Sequence, residues 1–387
     1  MPRGIVLIQP MHTSDILASL RARQNQMVEM LASFVTAESP SADTLLTEGC
    51  ARIVSQACKD LIGKHPQSLV VQGTTHLLLE FGSPRVLLLG HLDTVWPQGT
   101  IERWPFTVDG DRATGPGVFD MKAGLVQCLF ALTLLDDLDG IALLVTSDEE
   151  PGSHTSRELI EQTARGCVAT LVFEPSAEGA LKTERKGVSL YELEVTGRAS
   201  HAGLEPEKGI NAAVEMAHQI LELERLSNPT LGTTVTPTRA SAGTAINVVP
   251  SRADIAVDVR VFTSEEQTRV HEAIYGLTPV VDGTSINASG GPNRPPLPAS
   301  SSKSLFARAS ALAENLGIAP LRQASVGGAS DGNFTAALGV PTLDGLGAVG
   351  DGAHAEGEYV EIGAMAERAA LAALLVKDLL AITIGTP

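Results

Sequence analysis

The 387-residue chain has no apolar run approaching the ~20 residues that would span a bilayer, which argues against a transmembrane helix. Cysteine is scarce. The four residues Cys50, Cys58, Cys128 and Cys167 are scattered, and none stands in a C-x-x-C pair. That spacing speaks against a disulfide framework and against a thiolate metal site. Cys128 in GLVQCLFALTLL and Cys167 at the head of CVATLVF read as small buried hydrophobes. Positive charge is in short supply: 28 Lys plus Arg against 45 Asp plus Glu gives 28 − 45 = −17. A chain this acidic has no electrostatic footprint for nucleic acid or for an anionic membrane surface. The start, MPRGIVLIQPMHTSD, carries one Arg and a five-residue apolar patch, short of the ~7–15-residue core of a signal peptide. The expected location is therefore the cytoplasm.

What is present is a globular composition, with 43% hydrophobic against 19% charged residues. At ~100–200 residues per domain the length suggests two or three domains. SDILASLRARQNQMVEMLASFV reads as one helix with Leu20, Met27, Leu31 and Phe34 on one face and Ser14 or Asp15 as cap. Short apolar runs at 86–89, 141–145 and 170–173 suit strands buried on both faces, and 122–135 between the first two reads as a helix. This β–α–β rhythm predicts an α/β unit with a mostly parallel sheet. Near residue 185 the pattern changes. SLYELEV and ADIAVDVRV alternate as half-buried strands do, and 209–226 reads as a helix with Ile210, Ala213, Val214, Ala217 and Leu221 on its apolar face. The stretch 288–302, ASGGPNRPPLPASSS, reads as a linker. A helix with Leu305, Ala309, Leu312 and Leu316 aligned and Gly317 as C-cap follows it, and a long C-terminal helix closes the chain. The expected architecture is an α/β unit over 1–184 and 295–387, interrupted by a smaller α+β unit over 185–294.

In open α/β sheets, reacting groups gather outside the carboxyl ends of the strands. Here the 86–89 run ends in Gly90-His91-Leu92-Asp93, the 141–145 run in Thr146-Ser147-Asp148-Glu149-Glu150, and the 170–173 run in Glu174-Pro175. Three buried strands that each end in His or acidic residues bring carboxylates together, and these repel unless a cation neutralises them. Imidazole plus carboxylate suits zinc, with cobalt or manganese as substitutes. His91 and Asp93 are two apart, so in an extended chain they share a side and Asp93 can accept the second ring N–H of His91. Glu149 and Glu150 are adjacent and point in different directions, so one can bind metal while the other holds the attacking water. Asp120 in TGPGVFDMKAG and His354 in GDGAHAEGE stand in Gly-rich loops that let the backbone approach a crowded site. A two-metal centre with a bridging carboxylate would use His91, Asp120, Glu150, Glu174 and His354. His12, His65, His76, His218 and His271 lack a partner pattern and read as structural or surface.

The motifs GHLDTVW, GPGVFDMKAG, SDEEPGS, FEPS, TGRASHAG and GAHAEGE, in this order, resemble those of the zinc-dependent M20 metallopeptidase family, and within it the glutamate carboxypeptidase branch. The resemblance runs from about residue 75 to the C-terminus. It implies a di-zinc hydrolase that cleaves the amide bond of N-acyl amino acids or small peptides with a free C-terminal carboxylate. By this resemblance His91 and Glu174 are ligands on different metals, as are His354 and Glu150, and Asp120 bridges. Glu149 is the general base and Asp93 orients His91. The segment 185–294 resembles a lid or dimerisation domain, which implies a homodimer in which His201 reaches the neighbouring active site and stabilises the oxyanion. Asn247, Arg260 and the loop Gly327–Asn333, with Gly328, resemble groups that contact substrate. For Arg260 the plainer reading is a solvated strand face paired with Asp258 or Asp254, and for His201 a turn histidine that caps a backbone group. Met121 stands where the branch often has a second Asp, and His154 where an aromatic or small residue is expected. The residues of side-chain specificity have no clear counterpart, with Arg294 and Lys182 as possible stand-ins. Acetylornithine or succinyl-diaminopimelate deacylases and dipeptidases share such a metal site and stay open as alternatives. A catalytically silent amino-acid or peptide binder would be expected to lack Glu149 or a ligand, and all are present.

Overall fold

The computed structural model describes residues 13–382. The signal-peptide reading of the first residues and His12 lie outside the described residues, as does the side chain of Ser14. The chain forms two compact units. One runs to Thr183 and takes up Ala299–Ala324 and the chain from Leu338, and the other comprises Glu184–Pro298 and Ser325–Ala337.

The first unit is built on a six-stranded sheet in the order Gln67–Val71, Thr74–Glu80, Ile141–Thr146, Val86–His91, Ala169–Val172, Thr342–Leu343. The centre is parallel, as the buried runs predict: Leu88 faces Leu143 on one side and Leu171 on the other. The two outer strands on the Thr74 side pair antiparallel. Every residue of Val86–His91 and Ile141–Thr146 is buried, because helices cover both faces of a parallel sheet. The helix Ala123–Leu132 is buried along all ten residues, and Ile362–Leu380 packs against it. No side chain fits at Gly124, where a Cβ would lie 2.0 Å from the Phe173 carbonyl oxygen. That close approach brings the start of this helix against the end of the Ala169–Val172 strand.

A second, smaller sheet matters for the site. It runs Gly350–Asp351, Tyr359–Glu361, Arg112–Thr114, Thr107–Asp109, with Val360 opposite Ala113. It clamps two Gly-rich loops side by side, one following Thr114 and one spanning 352–358.

The stretch read as one N-terminal helix is two, Thr13–Ala22 and Gln24–Thr36, separated at Arg23. Leu20, Met27, Leu31 and Phe34 are buried as expected. Gly317 follows the helix Ala299–Leu316 at φ +66°, the left-handed conformation of a C-cap glycine. Among the described residues no helix is long and apolar enough to cross a membrane.

The second unit carries an antiparallel sheet in the order Thr234–Ala242, Arg252–Val261, Gly187–Thr196, Ser285–Arg294. Ile255, Val257, Val259 and Val261 point into its core with Leu223, Val270 and Ile274 from the helices Ala212–Arg225 and Ser264–Tyr275. The expected linker at 288–302 is corrected here. Its first half is an edge strand, with Ala288 opposite Leu193 and a register shift at Pro292/Arg294. Gly290 is required at φ +90° because a Cβ would sit 2.2 Å from the Leu190 carbonyl oxygen, so its glycines and proline mark a bulged edge. The unit also exceeds the expected 185–294 segment. Arg185 donates to the Gly328 and Ala329 carbonyls, and the Asn333 amide donates to those of Lys186 and Pro295, which holds 325–337 to it.

The face assigned to the 209–226 helix is corrected too. The helix starts at Ala212, capped by the Asn211 side chain, and buries Ala212, Glu215, Gln219 and Leu223. Val214 and Leu221 are 46% and 53% exposed, and Ala217 is exposed beside them. Periodicity misleads here because a carboxylate occupies the core-facing side. Glu215 accepts bonds from the Val280 and Val281 backbone N–H, the Thr284 hydroxyl and the Gln219 amide. Burial alone would raise the Glu215 carboxyl, and these donors outweigh it and hold it below the usual range.

Glu215→Gln turns an amide N–H against backbone N–H donors. The expected cost is about 1–3 kcal/mol, read as a lower Tm at neutral pH. A carboxyl whose folded pKa lies below its unfolded value contributes stability above the unfolded pKa of about 4.3 and loses it as pH falls through the folded value. The Tm gap between wild type and variant should therefore close on acidification below pH ~4. A gap that stays constant into acid would show that the charge plays no part.

Candidate metal centre

The carboxyl ends of the central strands meet the two Gly-rich loops. His91 ends the strand Val86–His91 and is 2% exposed. Its Nδ1 lies 3.0 Å from the Asp93 carbonyl oxygen and 3.4 Å from Asp93 Oδ1. With Nδ1 as donor, Nε2 is left as the lone-pair nitrogen. That Nε2 lies 3.4 Å from Asp120 Oδ1 and 3.4 Å from Glu174 Oε1. On the far side of Asp120, His354 Nε2 lies 3.4 Å from Asp120 Oδ2 and 3.1 Å from Glu150 Oε2. The Asp120 carboxylate thus stands between two imidazoles, one to each oxygen.

His91 and Glu174 were expected on different metals. The geometry corrects this by putting them together on one side of Asp120, with His354 and Glu150 together on the other. Glu149 adjoins the first side: ligand atoms of His91, Glu149 and Glu174 lie within 4.8 Å of one another, as do those of His91, Asp120 and Glu150. The adjacent acids do diverge, each toward its own pair.

His354 holds φ +63° in its glycine-flanked turn, a left-handed conformation uncommon for a residue with a Cβ and typical of sites where geometry is over-determined. Asp93 does more than orient His91. Buried at 0% exposure, it accepts from the Ser41 hydroxyl at 2.7 Å and from the backbone N–H of Glu149 and Glu150, each at 3.2 Å.

The electrostatics follow from this crowding. Burial by itself would lower the His91 imidazole, but the carboxylates of Asp120, Asp93 and Glu174 outweigh it and hold it well above its ordinary value. Burial would raise Asp93 and Asp120, and the neighbouring imidazoles pull both below the carboxylate range. Glu150 is pushed up, first by burial and then by the Asp120 charge, with His354 opposing. The Asp120 and Glu150 carboxylates push His354 up to about 10.

The donor set fits a zinc-type cation. His91 Nε2, Asp120 Oδ1 and Glu150 Oε1 are buried and make no hydrogen bond among the described residues. Buried polar atoms without hydrogen bonds are costly, and a cation would satisfy all three at once. Imidazole nitrogen and carboxylate oxygen are the ligand types zinc takes, and residues enough for two ions are present.

Sequence reasoning missed two residues here. His76, read as structural or surface, is fully buried. Its Nδ1 accepts from the Ser147 N–H, and its Nε2 lies 2.9 Å from the Thr155 hydroxyl. Thr155 in turn donates to Asp148. His76 so braces the loop that carries Glu149 and Glu150. Only the antiparallel pairing of Thr74–Glu80 with Ile141–Thr146 brings them together, and spacing along the chain does not show that. Met121, the departure from the branch pattern, is buried, and its sulfur accepts the His91 N–H at 3.2 Å. A Cβ at Gly90 would lie 2.7 Å from its terminal methyl, so a thioether at 121 goes with a glycine beside the histidine.

The remaining residues singled out from sequence belong to the second unit. His201 is exposed, and its Nδ1 accepts from the Gly203 and Leu204 N–H, which leaves Nε2 to carry the proton. Arg260 makes a two-point pair with Asp258, at 2.7 and 2.8 Å. Asn247 is exposed, and its carbonyl accepts the Ala202 N–H. Gly328 is exposed, with its carbonyl held by Arg185. Of the two stand-ins for side-chain specificity, Arg294 is buried against Asp331, and Lys182, in the first unit, acts on the Asp120 charge.

Comparison with known proteins gives a consistent result. A profile of peptidase family M20/M25/M40 matches residues 87–378. The chain is 34% identical to carboxypeptidase G2 of Pseudomonas sp. over 312 residues, 77% of this chain and 74% of that protein. It is 27% identical to succinyl-diaminopimelate desuccinylase of Thioalkalivibrio sulfidiphilus over 340 residues, 81% of this chain and 89% of that protein. Among solved structures, an M20 family metallo-carboxypeptidase from Sulfolobus solfataricus superposes with a TM-score of 0.70 at 18% identity, covering 90% of this chain and 99% of that one.

Asp93→Asn keeps the side-chain volume and turns an N–H donor toward backbone N–H donors. The expected outcome is a ~10–100-fold weaker zinc affinity, measured by competition with a chromophoric chelator. Wild-type affinity would mean that His91 and the Glu149–Glu150 backbone hold their places without this carboxylate.

Proposed function

The chain belongs to peptidase family M20/M25/M40 and is a metal-dependent peptidase, and within that family we propose that it hydrolyses the amide bond of N-acyl amino acids or small peptides with a free C-terminal carboxylate, as a glutamate carboxypeptidase does. The observation that carries this reading is the Asp120 carboxylate set between His91 and His354, with Glu174, Glu150 and Glu149 around it. The 34% identity to carboxypeptidase G2 supports the substrate class.

In this reading His91 and Glu174 would hold one zinc ion and His354 and Glu150 the other, with Asp120 shared between them. When bound, the ions polarise the scissile carbonyl and lower the pKa of water from ~15.7 toward ~7. Asp93 keeps the proton on His91 Nδ1, so that Nε2 offers its lone pair. The Glu149 carboxylate takes a proton from the attacking water and hands it to the departing nitrogen. His201, with its proton on Nε2, donates to the oxyanion as it forms. Arg260, Asn247 and the backbone at Gly328 hold the free carboxylate of the substrate. A net charge of −17 repels an anion at long range, so a local cation is needed. For Arg260 to serve, its two-point pair with Asp258 must open or be shared.

The 27% identity to succinyl-diaminopimelate desuccinylase favours one second reading, a deacylase working through the same centre on a diamino acid. We further propose a homodimer formed through the second unit, with His201 acting in the active site of the partner subunit. The exposed stripe of Val214, Ala217 and Leu221 supports this, because an apolar stripe left facing water on a helix already packed through its other side is suited to covering by a second copy.

Two experiments test these readings. In a panel of N-acyl amino acids varied only at the C-terminal residue, the zinc-loaded protein should turn over acyl-glutamate or acyl-aspartate best, and Glu149→Ala should lower kcat by ~10²–10⁴. A peak at basic or diamino acids moves the protein to the deacylase reading, and binding without turnover makes it a binder. Mixed Glu149→Ala and His201→Ala chains should recover part of the activity that each lacks alone. Leu221→Glu should yield monomers in sedimentation and remove that recovery. No recovery from co-expressed chains overturns the shared active site.

A further inference from the structure

Glu358 lies four residues beyond His354 and is fully buried. Both its oxygens are already engaged. Oε1 accepts the Phe119 N–H at 2.8 Å and the Asp120 N–H at 3.3 Å, and Oε2 accepts the Trp96 indole N–H at 3.0 Å. Glu358 is in neither group of residues whose ligand atoms lie close enough to share an ion, and its position explains something else. It ties the backbone of Asp120 to the turn that presents His354. That turn is itself closed tightly: the Ala355 N–H bonds the Gly352 carbonyl and the Glu358 N–H bonds the Ala355 carbonyl. A Cβ at Gly352 would lie 2.9 Å from Glu358 Cα.

The side-chain type is specified by the donors. Trp96 Nε1 and the two backbone nitrogens can only donate, so the group they surround must only accept. A glutamine of the same shape would turn its N–H2 against at least one of them. A carboxylate satisfies all three, and these donors oppose the burial and the Asp120 charge that push Glu358 up to about 7. Buried charge of this kind is retained only where its hydrogen bonds are complete.

We propose that Glu358 is a positioning residue for the metal centre: by anchoring the Phe119–Asp120 backbone to the His354 turn, it fixes the span across which Asp120 stands between the two imidazoles. The proposal rests on the reading of Asp120 as the bridging ligand. A structural carboxylate would move only the stability of the fold, whereas a positioning one also sets the affinity and ligand field of the ions.

The test uses the full-length protein, stripped of metal and reloaded. Zinc affinity is read by chelator competition, the visible spectrum is taken with cobalt(II) in place of zinc, and the Tm is measured without metal. E358Q should bind zinc ~10–100-fold more weakly and shift the cobalt bands. Adding W96F removes the donor that the new amide faces, so E358Q/W96F should return to within about threefold of wild type, with W96F alone unchanged. A wild-type affinity and cobalt spectrum in E358Q, whatever its Tm, overturns the proposal. If E358Q does not fold, E358Q/W96F and E358L/W96F carry the comparison. The first keeps an oxygen for the Phe119 and Asp120 N–H and the second does not, so only the second should lose affinity, and equal affinities overturn the proposal. Asp120→Ala separates the underlying reading: it should lose both ions, and if it binds them as wild type does, the bridging assignment fails first and the role of Glu358 with it.

Discussion

The structure of the centre depends on the Asp93 carboxylate. It lies at the end of a fully buried strand, at a depth where an unpartnered charge could not be kept. Its partners come from three places in the chain: the Ser41 hydroxyl, the His91 ring, and the consecutive backbone N–H groups of Glu149 and Glu150. Asp93 thereby meets the imidazole through its carbonyl at 3.0 Å and its carboxylate at 3.4 Å, and holds the backbone of the acidic pair beyond the next strand. His76 braces that acidic loop from the other side through Ser147 and Thr155. Among the acids of the centre, Asp120 Oδ1 and Glu150 Oε1 are buried without a hydrogen bond.

That arrangement has a physical consequence. Five carboxylates and two imidazoles meet in one region, with His91 buried and His354 at its exposed edge, and repulsion among the acids is offset by positive charge. Part of that charge falls to the imidazoles, since the neighbouring carboxylates push both His91 and His354 up. A cation with nitrogen and oxygen preferences does the same with better geometry, because it satisfies the oxygens that make no hydrogen bond. The second unit answers its own charges by local pairing, Arg260 with Asp258 and Arg294 with Asp331.

The chain shows its chemistry more readily than its surfaces. The central strands are visible in the sequence because burial on both faces leaves continuous apolar runs, and their polar ends stand out against those runs. The helix Ala212–Arg225 is not visible in the same way. An apolar stripe of Val214, Ala217 and Leu221 faces water, while Glu215 and Gln219 share the core-facing side with Leu223, the Glu215 carboxylate met by backbone and side-chain donors. Composition misread 288–302 for a related reason: glycine and proline mark a linker or a bulged edge strand equally well, and only the pairing with Gly187–Thr196 tells which.

The sequence by itself determined the α/β class and which strand ends carry the candidate ligands, because these follow from hydropathy and residue chemistry within a few residues. It named His91, Asp93, Asp120, Glu149, Glu150, Glu174 and His354. Only the tertiary structure decided how they group: His91 with Glu174, His354 with Glu150, and Asp120 between. It also decided that His76, Met121 and Glu358 stand behind them. These relations depend on strand order and on the small sheet that sets Arg112–Thr114 beside Tyr359–Glu361, residues more than two hundred positions apart. Distances of a few ångströms across such separations are fixed by backbone pairing, and no local pattern in the chain encodes them.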